Sequence, residues 1–475
     1  MMEKYNECKR GYFMSSTQRD FTQGPIAKGM IAFSMPFLLS NILQALYGAV
    51  DMLVVGNYSN PDPAISAQIL SGVNIGSQIT NLVAMMVSGL TISGTVMVGQ
   101  YVGARKQKDA SETVGTMFTL MAIVGLVLMA VMMLFSSAIL HLLDTPPEAF
   151  EHAKTYLMIC LSGTLFIFGY NAISSIQRGL GDSIRPLIFV GIACLVNVVL
   201  DLWLVKGLGM GAAGAAWATV IAQAISLILA ALYLSRNKFI FDFKLRSFRI
   251  HTEKMKLMVG LGIPSSVQSI IVNISFLVMT ALVNNIGGAT ASAAVGVVGK
   301  FNSFAILPAV AMSSSVSAFA AQNIGAGMYD RAKKSLGVGI GIAMTISAAV
   351  FAAVQLFPAP IIGIFSPNEE VIRSGVEYMR TFSFDYLLVP IQFCFNGLIM
   401  GAGHTRFTLL SASLSSLLLR IPVAVLFGSV LGWGLMGVGL AGPAATVAGI
   451  ALTGWFVFSG RWKKDQTGIR REENV

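Results

Sequence analysis

The chain has 475 residues, 55% hydrophobic and only 11% charged, with a mean hydropathy of +0.72 and a formal net charge of +10. Soluble domains carry about 25% charged residues, so the composition excludes an ordinary water-soluble enzyme or binding domain. A basic excess can mean nucleic acid, and where the basic residues fall along the chain decides that question.

Residues 1–24 are polar, hold Lys4, Lys9, Arg10 and Arg19, and have no apolar core before a cleavage site. They read as a cytoplasmic tail without a signal peptide, with Met14 as an alternative start. Apolar runs then follow at 30–56, 67–98, 113–140, 155–176, 186–205, 211–234, 257–283, 291–320, 335–362, 376–400, 407–430 and 436–459. Runs of this length can cross about 30 Å of hydrocarbon, so the expected fold is an all-α polytopic membrane protein of twelve transmembrane helices.

Basic residues collect in alternate loops. Arg105, Lys106 and Lys108 follow span two, Arg178 and Arg185 follow span four, and Arg331, Lys333 and Lys334 follow span eight. The loop after span six holds Arg236, Lys238, Lys244, Arg246, Arg249, Lys254 and Lys256. The opposite loops carry Asp62, Asp144, Glu148, Glu151, Glu369 and Glu370, with Lys154, Lys206 and Arg373 as the basic residues among them. The positive-inside rule places both termini in the cytoplasm of a cell that carries the protein in its plasma or inner membrane. The charge is therefore topological, and no nucleic-acid partner is expected.

The chain is written twice. Gln100-Tyr101-Val102-Gly103-Ala104 returns as Gln322-Asn323-Ile324-Gly325-Ala326, and Gly179-Leu180-Gly181-Asp182-Ser183 as Gly401-Ala402-Gly403-His404-Thr405, both offset by 222. Pro36 and Pro264 extend the match at an offset of 228, and the loop Asn57–Pro63 is the expected place for the extra residues of the first half. The basic linker 235–256 separates an N-terminal lobe, 25–234, from a C-terminal lobe, 257–460, with a cytoplasmic tail at 461–475. A duplicated membrane chain points to a transporter with a site between its halves.

Enzymatic motifs are missing from the sequence. Cys8, Cys160, Cys194 and Cys394 have no Cys-x-x-Cys spacing and read as packing residues. The four histidines form no His-Glu-x-x-His pattern, and no phosphate-binding Gly-x-x-x-x-Gly-Lys-Ser/Thr loop occurs. The protein is expected not to be an enzyme, to need no cofactor and to hold no metal beyond a coupling ion.

Ionisable residues inside apolar spans are functional candidates, because each costs roughly 2.5–3.5 kcal/mol on insertion scales. Asp51, Asp201, Lys300 and Arg420 qualify, with Asp385 as a possible second acidic site or an interfacial residue between Phe384 and Tyr386. Tyr47 and Asp51 share a helix face, as do Asn197 and Asp201. A carboxylate in such a place must take a proton or ligate a cation such as Na⁺, or else hydrogen-bond its neighbours. Lys300 and Arg420 could snorkel, pair with an acid or touch substrate. Gly209, Gly211 and Gly214, among alanines, suit close packing of span six.

Taken together, Asp51-Met52-Leu53-Val54-Val55-Gly56, Gly99–Ala104, Gln177–Ser183 and Asn197-x-x-x-Asp201 followed by Gly211–Thr219 resemble the MATE family, the multidrug and toxic compound extrusion transporters, and its DinF-like branch. The resemblance covers Pro25 to about Gly460. It implies two six-helix lobes related by a pseudo-twofold axis, and export driven by H⁺ or Na⁺. It also implies a cation-coupling site at Tyr47, Asp51, Asn197, Asp201 and Thr219. Span seven has no acid where another branch carries a glutamate, and that branch's span-ten acid aligns nearer Val389 than Asp385.

The resulting expectation is a monomeric secondary active exporter of amphipathic or cationic small molecules, working by alternating access in contact with membrane lipid. A flippase for lipid-linked sugars is the alternative transporter, expected to show a larger cationic cavity. A membrane-embedded enzyme and a channel are the alternatives of other classes.

Overall fold

The computed structural model describes residues 18–236 and 239–468. The expectations for residues 1–17, including Met14 and Cys8, for Lys238 and for 469–475 lie outside that range. Among the described residues there is no strand.

In the first half, α1 spans Ile26–Tyr58, α2 Pro63–Gly103 and α3 Gln107–Leu142. Asp62 accepts the amide of Ala64 at 2.8 Å and Pro63 opens the helix, so the start of α2 is capped in the usual way. Span four is two helices, α4 (Pro147–Ser162) and α5 (Thr164–Gly179), bent by 50°. Span five is α6 (Ile184–Asp201), prolonged by a π-helical segment, Leu202–Gly207, and span six is α7 (Gly211–Arg236).

The second half begins with α8 (Thr252–Ala305), which continues after a break at Ile306 into α9 (Leu307–Gly325). These 74 residues would run roughly 110 Å if straight, far more than one crossing. Gly288 divides them: it adopts φ 61°, ψ −152°, inside otherwise helical backbone. Phe276 and Asn302, on opposite sides of it, line one cavity, which requires the two arms to fold back on each other. Spans seven and eight are thus both present, but the reversal needs no equivalent of the Ser59–Asp62 connection in the first half.

After α10 (Tyr329–Leu356) the chain breaks at Phe357, so expected span nine ends earlier than 362, and α11 is a single short turn, Pro358–Gly363. Span ten repeats the bend of span four, with α12 (Glu369–Phe382) meeting α13 (Asp385–Gly401) at 48°. Span eleven starts as α14 (Thr405–Ser413) and continues through two π-helical segments, Leu414–Arg420 and Val425–Val430; α15 (Gly434–Phe458) completes the set. Large exposed apolar side chains, such as Leu134 and Leu142 on α3, form the girth that faces lipid.

The repeat is also reciprocal in space. Met30 and Phe33 of α1 pack into a core built from the second half, with Met312, Val316, Phe319 and Leu398. Their counterparts at an offset of 228, Met258 and Leu261 of α8, pack into a first-half core with Val98, Tyr101 and Met117. Gln100 Nε2 donates to the Gly401 carbonyl at 2.8 Å, and Gln322 Nε2 to the Gly179 carbonyl at 2.9 Å. A Cβ on Gly103 would overlap the Gln322 carbonyl, and one on Gly325 the Gln100 carbonyl. Glycine is required at both positions because the α2 and α9 backbones touch there.

The segments flanking the bundle complete this latch. Phe21 N–H donates to Gln322 Oε1 at 2.9 Å, and its ring stacks on Phe319 at 3.9 Å. Thr467 Oγ1 donates to Gln100 Oε1 at 2.7 Å. On the opposite face the core splits into a first-half cluster around Val55, Val73 and Ala215 and a separate second-half cluster around Val283, Met379 and Val438. The buried core is shared by the lobes at the basic-loop face and is separate in each lobe toward the acidic-loop face.

Gly209 and Gly211 do not serve packing as expected. Their φ values of +65° and +51° make the turn before α7, and Gly432 and Gly434 repeat it at +70° and +56°. Gly214 alone of the three meets the backbone of Leu204 closely.

Candidate functional site

Four first-half helices converge on one cavity of about 670 Å³, three of them with an i, i+4 pair in its lining. Asp51 and Tyr47 come from α1, Tyr156 and Cys160 from α4, and Asn197 from α6, with Asp201 at that helix's last turn; Thr219 and Gln223 come from α7. All five residues expected at a cation site are therefore brought together. Tyr156, Cys160 and Gln223 join them, and their shared i, i+4 spacing was the available signal. The reading of Cys160 as a packing residue is incomplete, because it also lines the cavity.

Asp51, Asn197 and Asp201 are 5%, 1% and 0% exposed. Asp51 and Asp201 face each other. Two carboxylates offer only lone pairs, so their contact becomes a bond only when a proton or cation lies between them. Asp51 Oδ1, both Asp201 oxygens, both polar atoms of Asn197 and Thr219 Oγ1 are buried without a hydrogen-bond partner among the described residues. A buried polar atom left this way costs about 1–3 kcal/mol, so this concentration of oxygens fits a proton or a hard cation. The π-helical segment directly after Asp201 widens the helix at the cluster, a common local distortion at functional sites.

A second cavity, of about 540 Å³, shares Gln44, Ser88, Thr91, Tyr170, Asn171 and Val190 with the first. Its other wall comes from the second half, with Gln268, Ser313, Ser317 and Asn396. The acid pair thus opens into a continuous cleft between the lobes, lined by hydroxyl and amide groups.

The remaining candidates lie apart from this cluster. Asp385 is buried in the first turn of α13 and accepts from Thr446 Oγ1 at 2.5 Å, which removes it from an interfacial belt even though Phe384 beside it is exposed. Arg420 lines a third cavity, of about 290 Å³, inside the second half, its guanidinium 4.7 Å over the Phe276 ring. Lys300 is exposed and does not line that cavity. Asp182 caps α6, accepting from the Ile184 amide at 3.1 Å and pairing with Arg185 at 3.1 Å. Its counterpart, His404, instead contacts the Lys464 carbonyl at 3.1 Å.

Two duplicated helical lobes with a cluster of buried oxygen atoms beside a cleft between them are the architecture of a membrane transporter. The MatE family model matches residues 36–203 and 264–426, once in each half, and the chain belongs to the MATE family of multidrug efflux transporters. It is 29% identical to the probable multidrug resistance protein YpnP of Bacillus subtilis, over 94% of this chain and 97% of that protein. Identity with the probable multidrug resistance protein NorM of Thermotoga maritima is 24%, over 92% and 94% of the two chains. The fold matches a solved outward-facing multidrug resistance MATE transporter of the MOP superfamily with a TM-score of 0.88 at 22% identity, covering 95% of this chain and all of that one.

Proposed function

We propose that the protein is a secondary active exporter of amphipathic or cationic small molecules, antiporting them against H⁺ or Na⁺. Asp51 and Asp201 form the coupling site, with Tyr47, Asn197 and Thr219 completing its shell. The observation that carries this reading is the facing carboxylate pair, with its unpartnered oxygens, in a cavity continuous with the inter-lobe cleft. Cation binding there and organic-cation binding in the cleft compete for the same negative charge, so each favours release of the other.

The basic-loop face is cytoplasmic, with both termini on that side of the plasma or inner membrane. The lobes, 25–234 and 257–460, rock about the contacts around Gln100 and Gln322 in a monomer. The named relatives, described as probable multidrug resistance proteins, support small-molecule export. A charge moved across 100 mV supplies about 2.3 kcal/mol, enough to sustain roughly a fiftyfold substrate gradient when the charge is not compensated.

The test is efflux of a cationic dye from proteoliposomes under separately imposed pH and Na⁺ gradients. Wild type should respond to one of them, and Asp51→Asn and Asp201→Asn to neither. Full gradient-driven efflux by both variants would refute the coupling assignment. Dye retention by wild type under every gradient would instead favour a flippase for lipid-linked sugars.

A further inference from the structure

The 290 Å³ cavity in the second half is the duplicate of the acid cavity. Tyr156 and Cys160 of the first correspond, at an offset of 222, to Tyr378 and Phe382 of the second, and all four line their cavities. The 222 offset holds through Gly179–Ser183 and Gly401–Thr405 and has become 223 by Leu202 and Val425, as the π-helical segments Leu202–Gly207 and Val425–Val430 and the glycine pairs 209/432 and 211/434 show. The added residue is absorbed by the extra π-helical segment Leu414–Arg420, since one inserted residue in a helix widens a turn.

On this register Asn197 corresponds to Arg420, Asp201 to Ala424 and Thr219 to Gly442, while Asp51 corresponds to Met279 at an offset of 228. Arg420, Gly442 and Met279 all line the second cavity. The duplicated pocket has thus lost both acids and gained a guanidinium.

Among the described residues Arg420 forms no ion pair. Its Nε and Nη1 are buried without a hydrogen-bond partner among the described residues, and its guanidinium lies over the Phe276 ring, with Tyr378 acting on it through space. Asp385 is engaged by Thr446 and acts on Arg420 only through space. Nε and one Nη of a guanidinium form the fork that a carboxylate accepts in two parallel bonds. The cavity around that fork is lined mainly by apolar and aromatic side chains, among them Phe276, Val283, Val295 and Phe382, with Thr280, Ser292, Asn302 and Tyr378 as its polar residues.

We propose that this second cavity is an anion-binding site, built on Arg420, that takes the carboxylate of a small aromatic organic acid. The apolar walls hold the ring system and the Arg420 fork holds the charged end. The two lobes then carry the same pocket with opposite charge selectivity. This goes beyond the export reading, because binding at Arg420 needs neither a gradient nor the Asp51/Asp201 pair.

The test is calorimetric titration of the purified full-length protein with 2-naphthoate and with its neutral analogue 2-naphthamide, against empty detergent micelles. Wild type should bind the acid at least about tenfold more tightly than the amide, because only the acid forms charge-assisted bonds. Arg420→Met should bring the two affinities together. Met279→Asp, which keeps the arginine but gives it an internal carboxylate, should do the same, so a folding defect in one variant does not decide the result. Equal affinities in wild type, or a persistent preference for the acid in Arg420→Met, would overturn the proposal. Loss of gradient-driven dye efflux with the acid preference intact would sink the export reading alone, and the converse result this one alone.

Discussion

The cavity around Asp51 and the cavity around Arg420 occupy equivalent places in two copies of one sequence, yet one gathers unpartnered oxygens and the other unpartnered guanidinium nitrogens. Backbone devices survive in both copies: the Gly103 and Gly325 contacts, the reciprocal Gln100 and Gln322 bonds and the positive-φ glycine turns. These positions resist change because a side chain would overlap backbone or strain it. The residues that differ between the copies, Asn197 and Arg420, have side-chain nitrogens without a hydrogen-bond partner among the described residues, so duplication keeps the lobe contact and changes the pocket chemistry.

The sharpest way to break the comparison is to neutralise the first cavity. Asp51→Asn or Asp201→Asn should lower gradient-driven dye efflux by about tenfold or more, since each removes half of the proposed coupling pair, while Met279→Leu in the second cavity should change it less than about twofold. Equal losses from both cavities would erase the distinction. The latch comes next. Gly103→Ala and Gly325→Ala should each destabilise the protein by about 1–3 kcal/mol through overpacking at the lobe contact, read as a fall in the thermal midpoint.

A smaller and nearly equal loss should follow Gln100→Ala and Gln322→Ala, each leaving a carbonyl of the other lobe unpaired, at about 1 kcal/mol for the bond itself. A strongly unequal pair would show that the latch is not shared symmetrically. The smallest effect separates Asp182 from His404. Burial holds the His404 imidazole below its ordinary value, against a smaller upward pull from the Lys464 carbonyl. The unfolded chain therefore binds the proton more readily, and stability falls as pH drops from 7 toward 5. His404→Asn should flatten that dependence of the thermal midpoint; an unchanged slope would assign it elsewhere.

Much of this was legible in the residues. Charge alternation marked the two faces, the 222-residue offset marked the halves, and buried acids at i, i+4 spacing marked the first cavity. The hairpin at Gly288 was hidden because the turn needs no polar loop, only one glycine with φ near 61°. Arg420 could not be matched to Asn197 because the 222 offset pairs Asn197 with Leu419; the compensating residue is stored as a π turn, which linear spacing does not reveal. Tyr156 and Cys160 give no sign of the cavity in the sequence beyond their i, i+4 spacing, because a tyrosine or a cysteine in an apolar run looks like packing until three other helices converge on it.

The claim that the Asp51/Asp201 pair links ion to substrate is tested most directly without a membrane gradient. Purified protein loaded with H⁺ or ²²Na⁺ is titrated with ethidium, and the ion released per dye bound is counted. Wild type should release ions as dye binds, and Asp51→Asn and Asp201→Asn should release none. Release by both variants equal to that of wild type would contradict the account.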